Sequence, residues 1–548
     1  MSILVIVESP SKCKKIQSIL SQIEPKKKIM VLSCCGHFRE IASIDKKTLE
    51  VKFKYSKGKY KYIQKIRKSI FGKEIYIATD NDREGESIGW HLCDIFHLDI
   101  KKIKRLRFND LSFPTLKYAY EHPSFLSQDL IDAALTRQII DRWIGFQFSP
   151  RLSKFCNEKG LSAGRCQTPT LKLVFDKEEE KKKITEETYF QCNATFHKYL
   201  FSLSSSFEKK EEGFDFLEKN KKFPHEYELP FHTEKKEKYP PKPFKTSTIQ
   251  QYCSSYWKWS PTITMKKLQE LYEEGKITYH RTESIQLSNS FIKKGLEYIE
   301  KEYGEEYKTK KNIYSSNSFA HEAIRPTNLS KIDEKDKLYS LIRNQTLKSL
   351  MSSAEFEETL VQIKTPFPNL FFKRTFSTLL FDGFLKLEKK EMKSKETIPK
   401  KLKGYSIIEL KEVPKKYIPS YNEGNIIKKL EDLKIGRPST FASFLLKIQY
   451  RKYVDKKDIE YIFPRPLSIW TMKEDKIKEE KKEWKEIEKS KIVINPLGLK
   501  VIDYLYKNYS TYFNYEYTSE IEQYLDDISE GKLEKNVLLK EIQTKLLE

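Results

Sequence analysis

Residues 3–7 read Ile-Leu-Val-Ile-Val, and the run stops at a charge, Glu8. A stretch with no polar face and so many β-branched side chains suits a strand covered on both sides, as in a parallel sheet between helices. Ser9-Pro10-Ser11 then turns the chain, and the Pro-Ser pair can open a helix whose first turn holds Lys12. A second short strand, Ile75 to Thr79, ends in Asp80-Asn81-Asp82-Arg83-Glu84-Gly85-Glu86, and Ile88, Trp90, His91, Leu92 and Ile95 follow at helical spacing. Both acidic clusters thus fall just past the carboxyl ends of strands, where open α/β sheets place their ligands. Asp80, Asp82 and Glu84 alternate across one turn and can converge. Converging carboxylates repel unless a cation neutralises them, and oxygen-only ligands suit Mg²⁺. The bland alternative is a solvated acidic loop, which the strand-end position and the nearby Glu8 disfavour.

A chain of 548 residues is too long for one hydrophobic core, so three or four domains are expected. Lys and Arg exceed Asp and Glu by 24. That surplus favours a polyanionic partner, nucleic acid before an anionic membrane, although a bias toward Lys, Ile, Asn, Tyr and Phe codons competes as its source. No stretch reaches the length of a membrane span, and the first ten residues lack the basic start and cleavage site of a signal peptide. The eight cysteines contain no Cys-x-x-Cys pair and none lies beyond Cys253. Reduced thiols are therefore expected, with no disulfide framework and no zinc ribbon. Cys34-Cys35 reads as a pair of small residues on a strand. No Gly-x-x-x-x-Gly-Lys-Ser/Thr loop is present, so no ATP site is expected.

In the middle of the chain, Ser260-Pro261 is a cap followed by proline at the first helical position. Met265, Leu268, Leu271 and Tyr272 form an apolar stripe, and Gly275 ends the helix. The segment that follows alternates, so Tyr279, Arg281 and Glu283 share one face. A phenol is a weak nucleophile at neutral pH, and Arg281 could stabilise its anion while gripping a phosphate. On spacing alone, packing and chemistry are equal readings of Tyr279.

Other blocks suit a grip on nucleic acid. Ser162-Ala163-Gly164-Arg165-Cys166-Gln167 sets small residues beside polar donors, so a backbone phosphate can come close. Ile131 to Arg142 reads as an amphipathic helix on which Arg137 and Asp141 form a surface pair. Lys434 to Ala442 contains Gly436-Arg437-Pro438-Ser439-Thr440, and Arg451 follows. Phe441 and Tyr453 could stack on bases, but core is the default. Ile521, Tyr524, Leu525 and Ile528 mark a helix read as packing alone. Segments 387–404 and 473–491, rich in Lys and Glu, read as solvated helix faces or loops.

Several of these stretches resemble a known family. VIVESPSKCKKI and IATDNDREGESIGWHL are similar to the two signature halves of the Toprim domain as type IA DNA topoisomerases carry it. LYEEGKITYHRTESIQLS resembles that family's active-site stretch, PPKPFKTSTIQQ the segment leading into it, and AHEAIRPT a later block containing His321 and Arg325. SAGRCQ resembles the family's SAGR-x-Q block with Cys166 in place of an aliphatic residue, and KIGRPSTFA its GIGRPSTYA block. Gly36-His37 with Arg39 resembles an element near the scissile strand. The blocks keep family order from Ile3 to about Gly531, and Glu283 departs from the usual aspartate.

The resemblance implies a multidomain α/β and α+β chain, with a Rossmann-like Toprim domain plus helical and β-rich arch domains forming a toroid. The implied limits are 1–120 for the Toprim domain, 121–184 and 416–548 for a helical base, 185–240 and 356–415 for the arch, and 241–355 for the tyrosine domain. It makes Tyr279 the nucleophile that forms a 5′-phosphotyrosyl bond, assisted by Arg281, Glu8 and Lys12. Glu8, Asp80, Asp82 and Glu84 become the ligands of Mg²⁺, or of Mn²⁺ in its place, with no ATP and no zinc. DNA contacts fall to His37, Arg137, Asp141, Ser162, Ala163, Gly164, Arg165, Cys166, Gln167, His321, Arg437, Ser439, Thr440 and Arg451. The implied partner is single-stranded and negatively supercoiled DNA, handled inside the cell by a monomer and without a membrane. Decatenation in the manner of topoisomerase III, action on RNA, and an inactive nucleic-acid-binding protein of the same fold are the alternatives.

Overall fold

The computed structural model describes residues 2–547 except 46–47, 184–185, 224–225, 229–231, 311–313, 317–321, 334 and 389–400. At its N-terminal end is a four-stranded, all-parallel sheet, in the order Ile29–Ser33, Ser2–Val7, Lys73–Ile77 and Lys104–Arg105. The first strand is central. Ile3, Val5 and Val7 pack on one face with Ile16 and Leu20, while Leu4 and Ile6 pack on the other with Ile63, Ile66, Ile88 and Leu92. All five are fully buried, which explains a run with no polar alternation. The first face also receives Leu268, Leu271, Tyr272 and Tyr279, so the tyrosine segment and the acidic strand ends share one core. Cys34 and Cys35 lie beyond the strand that ends at Ser33. Cys34 is buried, and Cys35 takes a left-handed turn at φ +66°, so the pair is not part of a flat strand.

The helices follow their sequence signals. Helix Pro10–Ile23 begins at the proline, and helix Arg83–Phe96 begins at the acidic loop. The Ser260 hydroxyl accepts the Ile263 amide at 3.3 Å to start helix Pro261–Glu273, and Gly275 leaves it at φ +66°. A second core joins the long helix Gln128–Cys156 to helices from 423 to 547, through Ile140, Ile144 and Phe148 against Leu430, Phe441, Leu505 and Leu525. Phe441 and Tyr453 are core residues, as the default reading has it.

A further core belongs to an eight-stranded sheet in the order His232–Lys238, Ala354–Lys364, Phe371–Phe381, Tyr199–Leu203, Thr188–Phe196, Ile407–Pro414, Leu467–Lys473 and Lys476–Lys482. Its last two strands lie within the segment that the sequence reading places in the helical base. Residues 473–491 are likewise strands, Lys476–Lys482 and Lys485–Ile494, rather than helix faces or loops. The reason is compositional: lysine and glutamate fill their exposed positions and hide the period-two signal. Of the other charged segment, 389–400 falls outside the described residues, and Gly383–Leu387 and Lys401–Lys403 are a short helix and a strand. Among the described residues no helix is long and apolar enough to cross a membrane.

Candidate active site

The acidic site is built on the strand ends of the parallel sheet. Glu8 follows the central strand, and Asp80 follows the neighbouring one. Asp82 caps helix Arg83–Phe96, accepting the Gly85 amide at 2.7 Å. Gly85 is required there, because a Cβ would stand 2.0 Å from the Asp80 carbonyl oxygen. Beneath the loop, fully buried Arg105 pairs with Glu86 at 2.9 Å and donates to the Thr79 and Asp80 carbonyls at 2.8 and 2.7 Å. Arg105 escaped the sequence reading, since nothing around it marks a buried cation.

Four donors from elsewhere close on these carboxylates. Lys12, fully buried, bridges Asp80 and Glu8, the latter at 3.4 Å. The Tyr272 hydroxyl donates to Asp80 at 3.3 Å. The Tyr279 hydroxyl donates to Asp82 Oδ2 at 2.5 Å, and its amide is fixed by the Asn109 carbonyl at 2.6 Å. Arg281 Nη1 is 2.8 Å from Glu84 and 3.8 Å from Asp82. The structure therefore brings Tyr279, Arg281, Glu8, Lys12, Asp80, Asp82 and Glu84 into one cluster.

Burial and mutual charge divide the protons unevenly. Burial, then Asp80, pushes Glu8 well above the ordinary glutamate range. Burial also opposes ionisation of Asp80, yet Lys12 and the surrounding hydrogen bonds outweigh it and hold that carboxyl well below its usual range. Asp82 is raised by burial and by Glu84. Tyr279 is raised well above a normal phenol by burial, then Asp82 and Asp80, with Arg281 pulling the other way. His280, beside Tyr279, is pushed down to about 3 by burial and Arg281 and is neutral. The tyrosine is thus stored as a phenol, with an arginine in place to stabilise its anion.

For a metal ion, the donor set is all oxygen, and Asp80 Oδ2 is buried without a hydrogen-bond partner. The remaining carboxylate oxygens are largely engaged by Lys12, Tyr279 and Arg281. Consistently, no ready-made group of three metal-binding side chains stands among the described residues. The all-oxygen chemistry of the donor set is that of a site for a hard divalent cation.

A cavity of about 1000 Å³ opens from this cluster and is lined by His37, Arg137, Asp141, Arg281, Glu283, Arg437 and Ser439. A second, of about 840 Å³, shares Asp141 and Arg142 with the first and is lined by Ser162, Ala163, Gly164, Gln167 and Arg451. Thr440 lines neither; its hydroxyl accepts the Arg437 amide at 2.9 Å and shapes that turn. Arg325 is buried on Glu322 at 2.6 Å and over the Phe291 ring, away from both cavities. His321 lies outside the described residues.

Arg165 and Cys166 reach the cavity wall but are buried, at 1% and 5% exposure. Arg165 Nη1 pairs with fully buried Glu522 at 2.7 Å, and its Nε with Asp141 at 3.1 Å. Arg137 and Arg437 approach the same Glu522 at 3.5 and 3.6 Å. Arg137 also lies 3.8 Å from Asp141, which is 46% exposed, so the expected surface pair forms the open edge of a network centred on buried Glu522. Helix Tyr515–Ser529, read as packing alone, buries Ile521, Leu525 and Ile528 as expected but also carries the carboxylate that arranges three arginines.

Comparisons with known proteins match this organisation. Residues 3–111 fit the Toprim domain model, and residues 126–474 fit a DNA topoisomerase model. DNA topoisomerase 1 of Aquifex aeolicus is 31% identical over 99% of this chain and 98% of its own length. The Thermotoga maritima protein of the same name is 32% identical over 98% of this chain and 83% of its own. A prokaryotic-type DNA topoisomerase 1 from Acanthamoeba polyphaga mimivirus is 31% identical over 97% and 69%. The solved structure of full-length Thermotoga maritima topoisomerase I superposes with a TM-score of 0.82 at 29% identity, covering 98% of this chain and 88% of that one.

Proposed function

The chain belongs to the type IA DNA topoisomerases, and from that premise we propose that it relaxes negatively supercoiled DNA through a tyrosine-linked single-strand break. One observation carries the reading: the buried Tyr279 hydroxyl rests on Asp82, with Arg281 on the same carboxylates, and Asp82, Glu84 and Arg281 line a groove that also carries Arg137 and Arg437. A single strand lies along the two adjoining cavities, held by Arg137, Arg437, Arg451 and the backbone of Ser162 to Gly164. His37, Asp141, Gln167 and Ser439 complete the contact surface. Arg165 and Cys166, buried but part of the second cavity's wall, belong to that contact surface as well.

The Tyr279 hydroxyl gives its proton to Asp82, on which it rests, and its oxygen attacks a backbone phosphorus while Arg281 stabilises the phenolate and the phosphate. A 5′-phosphotyrosyl ester forms and the 3′-oxygen leaves, taking a proton from Glu8, which Lys12 orients. The ester conserves the energy of the broken bond, so resealing is the reverse step and no ATP is consumed. Mg²⁺, or Mn²⁺ in its place, would be held by Asp80, Asp82, Glu84 and Glu8, and would offset phosphate charge there. No zinc is required. The chain acts as a monomer where the cell keeps its DNA, and the domain limits given above stand as part of this reading, with 467–482 moved to the arch.

The test is relaxation of negatively supercoiled plasmid with Mg²⁺ and without ATP. Wild type relaxes it, and Tyr279→Phe does not. Relaxation by both would displace Tyr279 as nucleophile. Linked DNA circles and knotted single-stranded RNA circles, assayed beside the plasmid, decide between relaxation and the decatenating or RNA readings.

A further inference from the structure

Two arginines from distant parts of the chain meet on one carboxylate at the edge of the groove. Arg83, between Asp82 and Glu84 in sequence, places Nη2 2.5 Å from Asp526 Oδ1 and 3.0 Å from the Ser529 hydroxyl. Arg437 donates to the other Asp526 oxygen. Arg437 has a second anchor, since its Nη1 donates to the Gly436 carbonyl at 2.7 Å. Arg83, Arg437, Asp526 and Ser529 all line the larger cavity. The side chains are partly open, at 28%, 20% and 27% exposure for Arg83, Arg437 and Asp526. A planar anion that accepts from two guanidinium groups has the charge and hydrogen-bonding edge of a phosphate.

We propose that Arg83 and Arg437 form a seat for one backbone phosphate of the bound single strand, and that Asp526 occupies this seat until the strand arrives. The inference rests on reading the groove as the path of single-stranded DNA. Because Arg83 belongs to the first turn that carries Asp82 and Glu84, a phosphate in the seat also positions the carboxylates beneath Tyr279. Arg83 and Asp526 are thus positioning residues, coupling the grip on DNA to the acidic cluster.

The experiment uses the full chain carrying Tyr279→Phe, so that binding is read without cleavage, and a fluorescent single-stranded oligonucleotide titrated across a range of salt. Adding Asp526→Asn should tighten binding at least about threefold at low salt and steepen the logarithmic salt dependence by about 0.7, the increment for one phosphate contact on a single strand. Asp526→Glu should restore the parent behaviour. Asp527→Asn removes an equal charge outside the seat and should give a smaller gain. Equal gains from Asp526→Asn and Asp527→Asn would reduce the effect to general field and overturn the seat, as would no gain at all. Arg83→Gln beside an intact Asp526 covers the case in which Asp526→Asn fails to fold. It should weaken binding and flatten the salt slope, and unchanged values would overturn the proposal. Failure of every variant, the parent included, to bind single-stranded DNA would remove the groove reading and the seat with it.

Discussion

Glu522 is a single carboxylate enclosed by Arg137, Arg165 and Arg437, and its titration is a direct probe of the groove's construction. Burial alone would raise its pKa, but the three guanidinium groups overcome burial and bring it from 4.5 down to about 2. The sign follows: a depressed carboxyl adds stability above its unfolded value of 4.5, and that contribution fades as pH falls toward 2. Glu522→Gln should therefore cost about 3 kcal/mol near neutral pH, with the deficit narrowing below pH 4.5. Urea melts of both proteins along a pH series measure it, and a deficit constant down to pH 3 would deny the charged role. Residues such as Glu522, Asp526 and Arg105 were illegible in the sequence. Among 102 basic and 78 acidic side chains, nothing local marks the few that are buried or bridging. Tyr279, Arg281 and the Asp80 to Glu84 run were legible because they lie in short contiguous blocks with distinctive neighbours.

Elements with an uninterrupted physical signal were also legible. The apolar run of Ile3 to Val7, the capped start at Ser260 and the stop at Gly275 each appear where the pattern puts them. The charged strands from 454 to 494 did not, because their exposed faces outnumber their buried ones. Both edges of the eight-stranded sheet, His232–Lys238 and Lys476–Lys482, are rows of lysine and glutamate, which deter pairing with another sheet while weakening the strand signal. The acidic loop depends on contact at the scale of one helical turn. Gly85→Ala would drive a methyl group into the Asp80 carbonyl, destabilise the fold by about 1–3 kcal/mol and part Asp80 from Asp82. Thermal melting together with trapping of the covalent DNA adduct tests this, and a normal melting point with normal adduct yield would contradict it.

At the scale of the whole molecule, sequence order and spatial order diverge. The large sheet takes strands from residues 188–238, 354–381, 407–414 and 467–482, and the helical core joins helix Gln128–Cys156 to helices near the C-terminal end. Strand membership was therefore not legible, since partners so far apart leave no shared local pattern. Helix Lys535–Leu547 seals that core with Leu538, Leu539 and Ile542, each 2% exposed. A chain ending after Glu534 should lose about 5 kcal/mol of burial energy. Faster proteolysis and binding of an apolar dye would report the loss, and wild-type resistance would show that the core closes without the helix. Glu522 and Asp526 also belong to this late part of the chain. Ribosomes make proteins from the N-terminus, so the acidic cluster and Tyr279 emerge long before the two carboxylates that arrange the groove's arginines. A nascent chain passes through a stage at which its cations are present and their organising anions are not. The groove cannot take its folded form until residues 522–526 have been made, so its arginines are set in register with the tyrosine only after the acidic cluster is complete.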